Sequence, residues 1–198
     1  MPKIVDHGER REQLVEATWR IIARNGLPGA TMRQIAAEAG FANGALKPYF
    51  ATKAALIEAT YFHVFERTNR RVGVAARGLR GLAALEAFGR EVLPLDEERL
   101  DEARVVISFW QQAAHDRHAA ELNNLSMDEW RRALTGWLEQ ARESGDLGTR
   151  VEIPATADAL LNFMLGTQIT AVLDPSGMTS AVLTGQLGSQ LDRLRACA

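Results

Sequence analysis

The clearest pattern of apolar and polar positions lies in residues 31–53 and predicts two short helices joined by a glycine turn. Thr31 precedes the first apolar stripe, and Gln34 follows it at the spacing of a capping box, which marks a helix start. Gly40 stands at the end of the stripe, where a residue that tolerates positive φ ends a helix. The first helix should therefore begin after Thr31 and end near Gly40.

The second predicted helix begins at about Asn43, buries Leu46 and Phe50, and is bent or ended at Pro48, which has no amide hydrogen to donate. Two helices this short cannot bury much apolar surface by themselves. The preceding segment supplies a third wall at helical spacing, formed by Leu14, Ala17, Thr18, Ile21 and Ile22. The pattern predicts a three-helix unit with a helix-turn-helix.

The remainder of the chain shows no strand-like alternation, so every long segment is predicted to be helical. A linker helix is expected over about 54–71, followed by helices over about 82–93, 101–115, 117–143 and 155–173 and by a last leucine stripe. A second capping box at Ser126 leaves a break within 117–143 open. We therefore predict an all-α chain with an N-terminal helix-turn-helix domain over 1–53 and a C-terminal helical domain over 54–198.

The last two helices carry apolar residues on more than one side. A helix that is apolar nearly all round must be buried on more than one side. One side of this pair can pack on its own protomer and the other on a second copy, giving a four-helix dimer interface. The predicted interface residues are Leu161, Leu165, Ile169, Val172, Leu183, Leu187 and Leu191.

Charge is distributed unevenly along the 198 residues. Residues 1–72 carry 11 Lys/Arg and 7 Asp/Glu, whereas residues 73–198 carry 12 and 18. A basic N-terminal unit on an acidic body is typical of a protein that binds DNA with one end only. No apolar run approaches the ~18 residues of a membrane span, and no signal peptide is visible, so a cytoplasmic protein without a membrane partner is expected.

An ordered set of residues extends from Arg10 to about Phe65: Ala17, Gly26, Thr31, Ile35-Ala36, Ala39-Gly40, Gly44-Ala45-Leu46, Tyr49-Phe50, Lys53 and Leu56. This set resembles the N-terminal domain of TetR-family transcriptional regulators. Two positions depart from the family: Lys47-Pro48 stands where a Tyr is usual, and Ala42 where a Ser often caps the recognition helix. The resemblance implies a homodimeric repressor that binds a palindromic double-stranded DNA operator.

Arg33 and Asn43 are the candidates for reading bases, because Arg matches guanine and Asn matches adenine in the major groove. Gly44 and Ala45 are small enough to let the backbone approach the DNA closely. The resemblance adds phosphate contacts by Thr31, Lys47, Tyr49 and Lys53.

In the second half, Phe109-Trp110 to His115, then Asn124 and Arg131, is similar to the BetI-type branch of the family, which belongs to the betaine pathway. The family keeps a ligand cavity in this domain, so a small-molecule effector, choline-like or apolar, is implied. Aromatic faces suit a quaternary ammonium. The candidate pocket residues are Phe88, Phe109, Trp110, Trp130, Trp137 and Phe163.

Three alternatives accompany this interpretation. The chain could be a DNA-binding dimer without an effector, which a ligand titration would distinguish. His115, His118 and Glu121 have the spacing of metal ligands on one helix side, but no further Cys or His supports them, and no metal or cofactor is expected. Enzyme activity is not expected, because the chain lacks a Gly-x-Ser-x-Gly elbow and a phosphate-binding glycine loop.

Overall fold

The computed structural model describes residues 7–42 and 44–195, without the side chain of Pro28, so the candidate base contact Asn43 lies outside the described residues. Within these ranges the structure has eight α-helices and no strand beyond an isolated bridge between Leu147 and Arg195. The helices are α1 His7–Gly29, α2 Met32–Glu38, α3 Lys53–Ala75, α4 Gly81–Val92, α5 Glu97–Ala113, α6 Arg117–Glu143, α7 Ile153–Leu173 and α8 Ser180–Asp192. The all-α prediction is confirmed.

Helix boundaries differ from the predicted ones where local capping outweighs the apolar pattern. α5 begins at Glu97, four residues early, because the Asp96 carboxylate accepts a hydrogen bond from the Arg99 amide at 2.9 Å. α6 runs unbroken from Arg117 to Glu143, so the break that Ser126 left open is absent. The Ser126 hydroxyl instead donates to the Leu122 carbonyl inside the helix.

The chain forms two compact units. The first contains the described residues up to Glu66 together with Arg104–Ala120, and the second contains Arg67–Ala103 and the described residues from Glu121 onward. The division falls within α3, after residue 66, and also within α5, after residue 103, and α6, after residue 120. The predicted division after Lys53, between an N-terminal helix-turn-helix domain and a C-terminal helical domain, is a functional division and stays a prediction.

The core of the first unit contains the residues predicted to line the three-helix unit. Leu14, Ala17, Ile21 and Ile22 of α1 are buried, and they pack in one cluster with Ile35 of α2 and with Leu46 and Phe50, among others. α1 is kinked at Gly26, whose φ of 67° is not helical, and the helix continues beyond the kink to Gly29. The buried Thr18 hydroxyl is satisfied by donating to the Leu14 carbonyl.

The core of the second unit includes the contact of α4 with α8. Gly89 of α4 faces Leu187 so closely that a Cβ at Gly89 would lie 2.8 Å from the Leu187 Cδ1 atom. Gln168 of α7 is also buried, and its amide donates to the carbonyl of Val92 at the end of α4 at 3.1 Å. The leucine stripe of α8 is therefore used inside the protomer.

Candidate DNA-binding and effector sites

The first helix of the motif has the predicted capping box. The Gln34 amide donates to the Thr31 hydroxyl oxygen at 3.2 Å, and the Thr31 amide donates to the Gln34 side-chain oxygen at 3.2 Å. Gly40 has a φ of 74° and ends the turn after α2. Ile35 and Ala36 are buried, so α2 turns its other face, which carries Arg33, to solvent.

The second motif helix is not formed as predicted: residues 44–49 are a series of hydrogen-bonded turns. Gly44 has a φ of 93°, which is outside the helical region, and Pro48 cannot donate a helical hydrogen bond. Backbone bonds of the segment run from the Ala45 amide to the Ala42 carbonyl at 3.0 Å, and from the Tyr49 and Phe50 amides to the Leu46 carbonyl at 2.9 and 2.8 Å. Leu46 and Phe50 are nevertheless buried as predicted, so apolar packing, rather than helical bonding, holds this segment.

Two arginines of α1 hold the same segment, a role that the sequence did not indicate. The Arg11 Nη1 atom donates to the Tyr49 carbonyl at 3.0 Å, and its guanidinium carbon lies 4.2 Å from the centre of the Phe50 ring. The Arg10 guanidinium lies 5.0 Å from the centre of the Phe41 ring. Such cation–π contacts are worth about 0.5–1 kcal/mol at exposed sites. Together they fix the turn segment against α1.

The predicted DNA-binding residues differ in their exposure and in the hydrogen bonds that they already make. Arg33, Gly44 and Lys47 are exposed, whereas Ala45, Tyr49 and Lys53 are partly buried. The Lys53 ammonium donates to the Leu27 carbonyl at 2.9 Å, which leaves two of its three donor hydrogens for a phosphate. The Thr31 hydroxyl is engaged in the capping box.

Of the predicted pocket residues, ring contacts bring three together in the second unit. Phe88 of α4 meets the ring of Trp130 edge-on, with ring centres 5.4 Å apart, and lies 5.6 Å from the ring of Trp137. Phe109 belongs to the first unit, where it stacks on Tyr61 at 4.1 Å, and Trp110 belongs to the same unit. Phe163 instead lines a groove between α7 and α8. We name Phe88, Trp130 and Trp137 the aromatic cluster.

The aromatic cluster has a polar partner that the sequence did not indicate. The indole Nε1–H of Trp130 donates to the Asn69 Oδ1 atom at 2.7 Å, and the Asn69 Nδ2 atom donates to the Glu129 Oε1 atom at 3.0 Å. Trp130 is 7% exposed, so its N–H needs such an acceptor. Asn69 lies on α3, and this hydrogen bond therefore ties α3 to α6 within the second unit.

A charge network holds the same part of α3. The Arg71 guanidinium makes two hydrogen bonds with the Glu102 carboxylate, at 2.9 and 2.7 Å, and a third with Glu91 at 3.0 Å. Burial is the largest single influence on the pKa of Arg71 and lowers it, but the bonds and charges of Glu102 and Glu91 together outweigh it and leave that pKa raised. Arg71 therefore stays charged and joins α3 to α4 and α5.

The predicted dimer residues divide into two groups. Within one protomer, Leu161, Leu183, Leu187 and Leu191 are at most 2% exposed. Side chains that are already buried have no surface to offer a second copy, so these four leucines belong to the core. The candidate dimer face must therefore be formed by other residues of these helices. Leu165 and Val172 are partly exposed and Ile169 is 41% exposed.

The outward side of α7 and α8 forms an open groove of about 810 Å³. Its walls are small and polar residues around Phe163, Met178 and Val182, and Gly166 and Gly185 leave room for side chains from outside. Ile169, Leu173 and Val182 on the two helices are 41, 78 and 41% exposed. We name this surface the α7–α8 face.

Other site chemistry is limited in the part of the chain that is described. It holds no group of three or more His, Cys, Asp or Glu residues that could bind a metal ion, and the His118 ring lies 3.9 Å from the Glu58 carboxylate. None of its helices is both long and apolar enough to cross a membrane.

A capped helix α2 and a turn segment that carry exposed basic residues, joined to a helical second domain, are typical of helical DNA-binding regulators. Family models agree: residues 14–60 match the model for bacterial regulatory proteins of the tetR family, and residues 82–196 match the C-terminal model of BetI-type transcriptional repressors. The chain belongs to the TetR family of transcriptional regulators and is of the BetI type. Proteins of this family are regulators and not enzymes.

Individual relatives agree with this assignment. The chain is 33% identical over 176 residues to the HTH-type transcriptional regulator PksA of Bacillus subtilis, which covers 88% of this chain and 84% of that protein. It is 31% identical over 131 residues to the regulator BetI of Burkholderia ambifaria, covering 64% and 66%.

Two solved structures share the fold. A transcriptional regulator from Rhodococcus sp. RHA1 superposes with a TM-score of 0.84 at 27% identity, over 95% of this chain and 98% of that one. A putative regulator from Saccharomonospora viridis, solved in complex with choline, has a TM-score of 0.88 over 96% of this chain and 100% of that one. Its identity is 18%, so the likeness shows the fold alone.

Proposed function

We propose that this protein is a ligand-responsive transcriptional repressor that binds a palindromic operator as a homodimer. The observation that carries the proposal is the capped helix α2 with exposed Arg33, followed by the turn segment with exposed Lys47, in one chain with a BetI-type repressor domain. Residues 1–53 serve as the DNA-binding domain, and residues 54–198 bind the effector and the second protomer. The protein acts in the cytoplasm, where its operator is.

The DNA contacts divide into base readout and phosphate binding. Arg33 and Asn43 read bases, and Gly44 and Ala45 allow a close approach to the groove. Thr31, Lys47, Tyr49 and Lys53 contact phosphates. A good bidentate base contact is worth about 1–3 kcal/mol of discrimination. Arg33→Ala should therefore relax the preference at one base pair of each half-site without abolishing binding.

The operator itself provides the first test. Binding sites selected from random double-stranded DNA should be inverted repeats whose half-sites lie about one helical turn (~34 Å) apart, as two-fold symmetry demands. Footprinting should show both half-sites protected at one protein concentration. A single, unrepeated half-site would reject the homodimer model.

The second copy is proposed to pack on the α7–α8 face. Support comes from the apolar side chains left exposed there, since patches of this kind mark interaction surfaces, and from the family, whose members typically assemble as dimers. Val182→Glu should yield monomers and lose operator binding in sedimentation and gel-shift measurements. Leu125→Glu is the matched control, because Leu125 is 66% exposed but lies on α6.

If the Val182 variant sediments as the wild type does, the dimer does not use this face. Sedimentation of the wild type itself as a monomer at micromolar concentration would contradict the whole assembly. In either case the helix-turn-helix assignment is unaffected.

The effector is proposed to be a small molecule that contacts the aromatic cluster. Two indoles and a phenyl ring offer π-faces for a quaternary ammonium or an apolar body for an uncharged ligand. Choline is the first probe, because the relative from Saccharomonospora viridis was solved with it. An effector must bind the DNA-incompetent arrangement more tightly, since a ligand without differential affinity shifts no equilibrium.

A titration separates this from the alternative of a dimer without an effector. Choline and betaine aldehyde are added to operator-bound protein up to millimolar concentration, with an uncharged hydrophobic compound in parallel. Release by choline supports a cationic effector. Release only by the uncharged compound rejects a cationic effector but leaves the proposal of a ligand-responsive repressor intact. No release by any of a broad set of compounds favours the dimer without an effector.

A further inference from the structure

We propose that Asn69 is the positioning residue through which the orientation of Trp130 is transmitted to α3. The inference rests on the proposed function, and it deepens it by naming the contact that an effector must break. It is carried by one hydrogen bond, from the Trp130 Nε1–H to the Asn69 Oδ1 atom at 2.7 Å, between α6 and α3.

The amide of Asn69 has only one useful orientation. Its oxygen must face Trp130, because an indole N–H is a donor only. Its nitrogen then faces the Glu129 carboxylate, to which it donates at 3.0 Å. A flipped amide would place its NH₂ group against the Trp130 N–H and its oxygen against the Glu129 carboxylate, and neither contact can form a hydrogen bond. Both polar ends of Asn69 are thus committed to consecutive residues of α6.

Trp130 is also part of the aromatic cluster. Its ring meets Phe88 edge-on at 87°, with the ring centres 5.4 Å apart, and only 7% of the residue is exposed. The ring cannot turn to admit a ligand beside Phe88 while its Nε1 atom stays 2.7 Å from Asn69. A ligand and Asn69 therefore compete for the orientation of the same side chain.

The competition has two outcomes rather than a gradual range. With the hydrogen bond made, the buried N–H and the amide oxygen are satisfied. With the indole turned, the N–H of the nearly buried Trp130 loses its acceptor, which is unfavourable unless a ligand compensates. The ligand-free arrangement is thus favoured, and a bound ligand supplies the contacts that stabilise the other one.

The consequence reaches α3 because Asn69 lies between two arginines that anchor this helix elsewhere. Arg67 pairs with Glu98, and Arg71 pairs with Glu102 and Glu91. These ion pairs hold α3 to α4 and α5, whereas Asn69 holds it to α6. Releasing Asn69 alone frees one side of the helix. α3 is continuous from Lys53 to Ala75, so its residues in the first unit belong to the same helix.

The test uses three single variants of the full-length protein and one double variant. Trp130→Phe keeps an aromatic ring and removes the N–H, and Asn69→Leu removes its acceptor. Asn124→Leu is the matched control, since it makes the same change as Asn69→Leu at an exposed position of α6. Circular dichroism melts establish that each variant is folded.

Operator affinity without any ligand is measured first. We expect Asn69→Leu and Trp130→Phe each to change it several-fold in the same direction, with the double variant no different from the singles, while Asn124→Leu leaves it unchanged. Independent, additive effects of the two substitutions would overturn the proposal. Unchanged affinity in both single variants would overturn it as well.

The second readout is the ratio of operator affinities without and with saturating choline, measured beside the dissociation constant of choline itself. Asn69→Leu should retain choline binding and reduce this ratio at least five-fold, whereas Asn124→Leu should retain both choline binding and the ratio. A full response in the Asn69 variant would overturn the inference. If choline does not bind the wild type, the proposed effector fails, and the ligand-free comparison alone decides the role of Asn69.

Discussion

Replacing Arg71 with Met should destabilise the second unit more than any exposed ion-pair substitution. The substitution removes the partner of a carboxylate that is almost completely buried, since the Glu102 side chain is 6% exposed. It also removes the hydrogen bond to Glu91, whose side chain is 16% exposed. The methionine keeps the apolar stem and loses only the guanidinium, so charge and hydrogen bonding are what the variant tests.

The magnitude follows from the environment of Glu102. Breaking a buried pair by removing one partner costs about 3–5 kcal/mol, because the remaining charge is left uncompensated. Here Arg67 remains 3.6 Å from the Glu102 carboxylate and Arg71 is about a quarter exposed, which places the expected loss near the lower end, at about 3 kcal/mol. Neutralising both partners should recover much of the loss, since the isolated buried charge is then gone.

The assay is urea denaturation of Arg71→Met, of the double variant with Glu102→Met, and of a control. Arg131→Met is the matched control, because Arg131 pairs with Asp158 at 2.5 Å but both side chains are close to half exposed. Exposed pairs contribute about 0–1 kcal/mol. The reasoning is refuted if Arg71→Met costs no more than Arg131→Met, or if the double variant is less stable than the single one.

Three further predictions concern other parts of the chain. Gly89→Ala should destabilise the protein by about 1–3 kcal/mol in thermal and urea unfolding, because its Cβ would lie 2.8 Å from Leu187, and Leu187→Val should restore part of the loss in that background alone. Hydrogen bonds from the Gly177 amide and the Ser176 hydroxyl lower the pKa of Asp174, so its contribution to the stability of the folded protein is present above pH 3.8 and is lost as the pH falls through the lowered pKa. An NMR titration of this carboxylate checks the direction of the shift, and an unshifted midpoint would contradict it. Lys47→Ala should weaken binding to all operators alike and reduce the salt slope by about 1 with an unchanged melting temperature, whereas Lys53→Ala should also lower the melting temperature because its ammonium caps the Leu27 carbonyl.

Much of the fold could be predicted from local signals. The capping box at Thr31, the glycine stop at Gly40, and the burial of Leu46 and Phe50 all follow from residue type and spacing within a few positions. The same is true of α6, whose bounds were predicted without error. Capping, turn formation and amphipathic spacing act over less than two helical turns, so the sequence displays them directly.

The candidate sites depended on partners that are distant in the chain. The periodicity of α8 indicated that its leucines are buried, but it could not show that α4, rather than a second copy, packs against them. The close approach of Leu187 to Gly89 of α4 shows this packing. Likewise, the aromatic residues were visible, but their grouping was not: Phe88 joins Trp130 and Trp137, while Phe109 stacks on Tyr61.

The sequence by itself determined the helical class, the helix-turn-helix and the family, because each rests on short-range spacing that survives without knowledge of the packing. The tertiary structure decided which apolar face is internal, which basic residues already have a partner, and which polar side chain meets Trp130. Asn69 and Trp130 are 61 positions apart. No local pattern reports such a pair, because an amide and an indole have no preferred spacing along a chain and meet only when two helices pack.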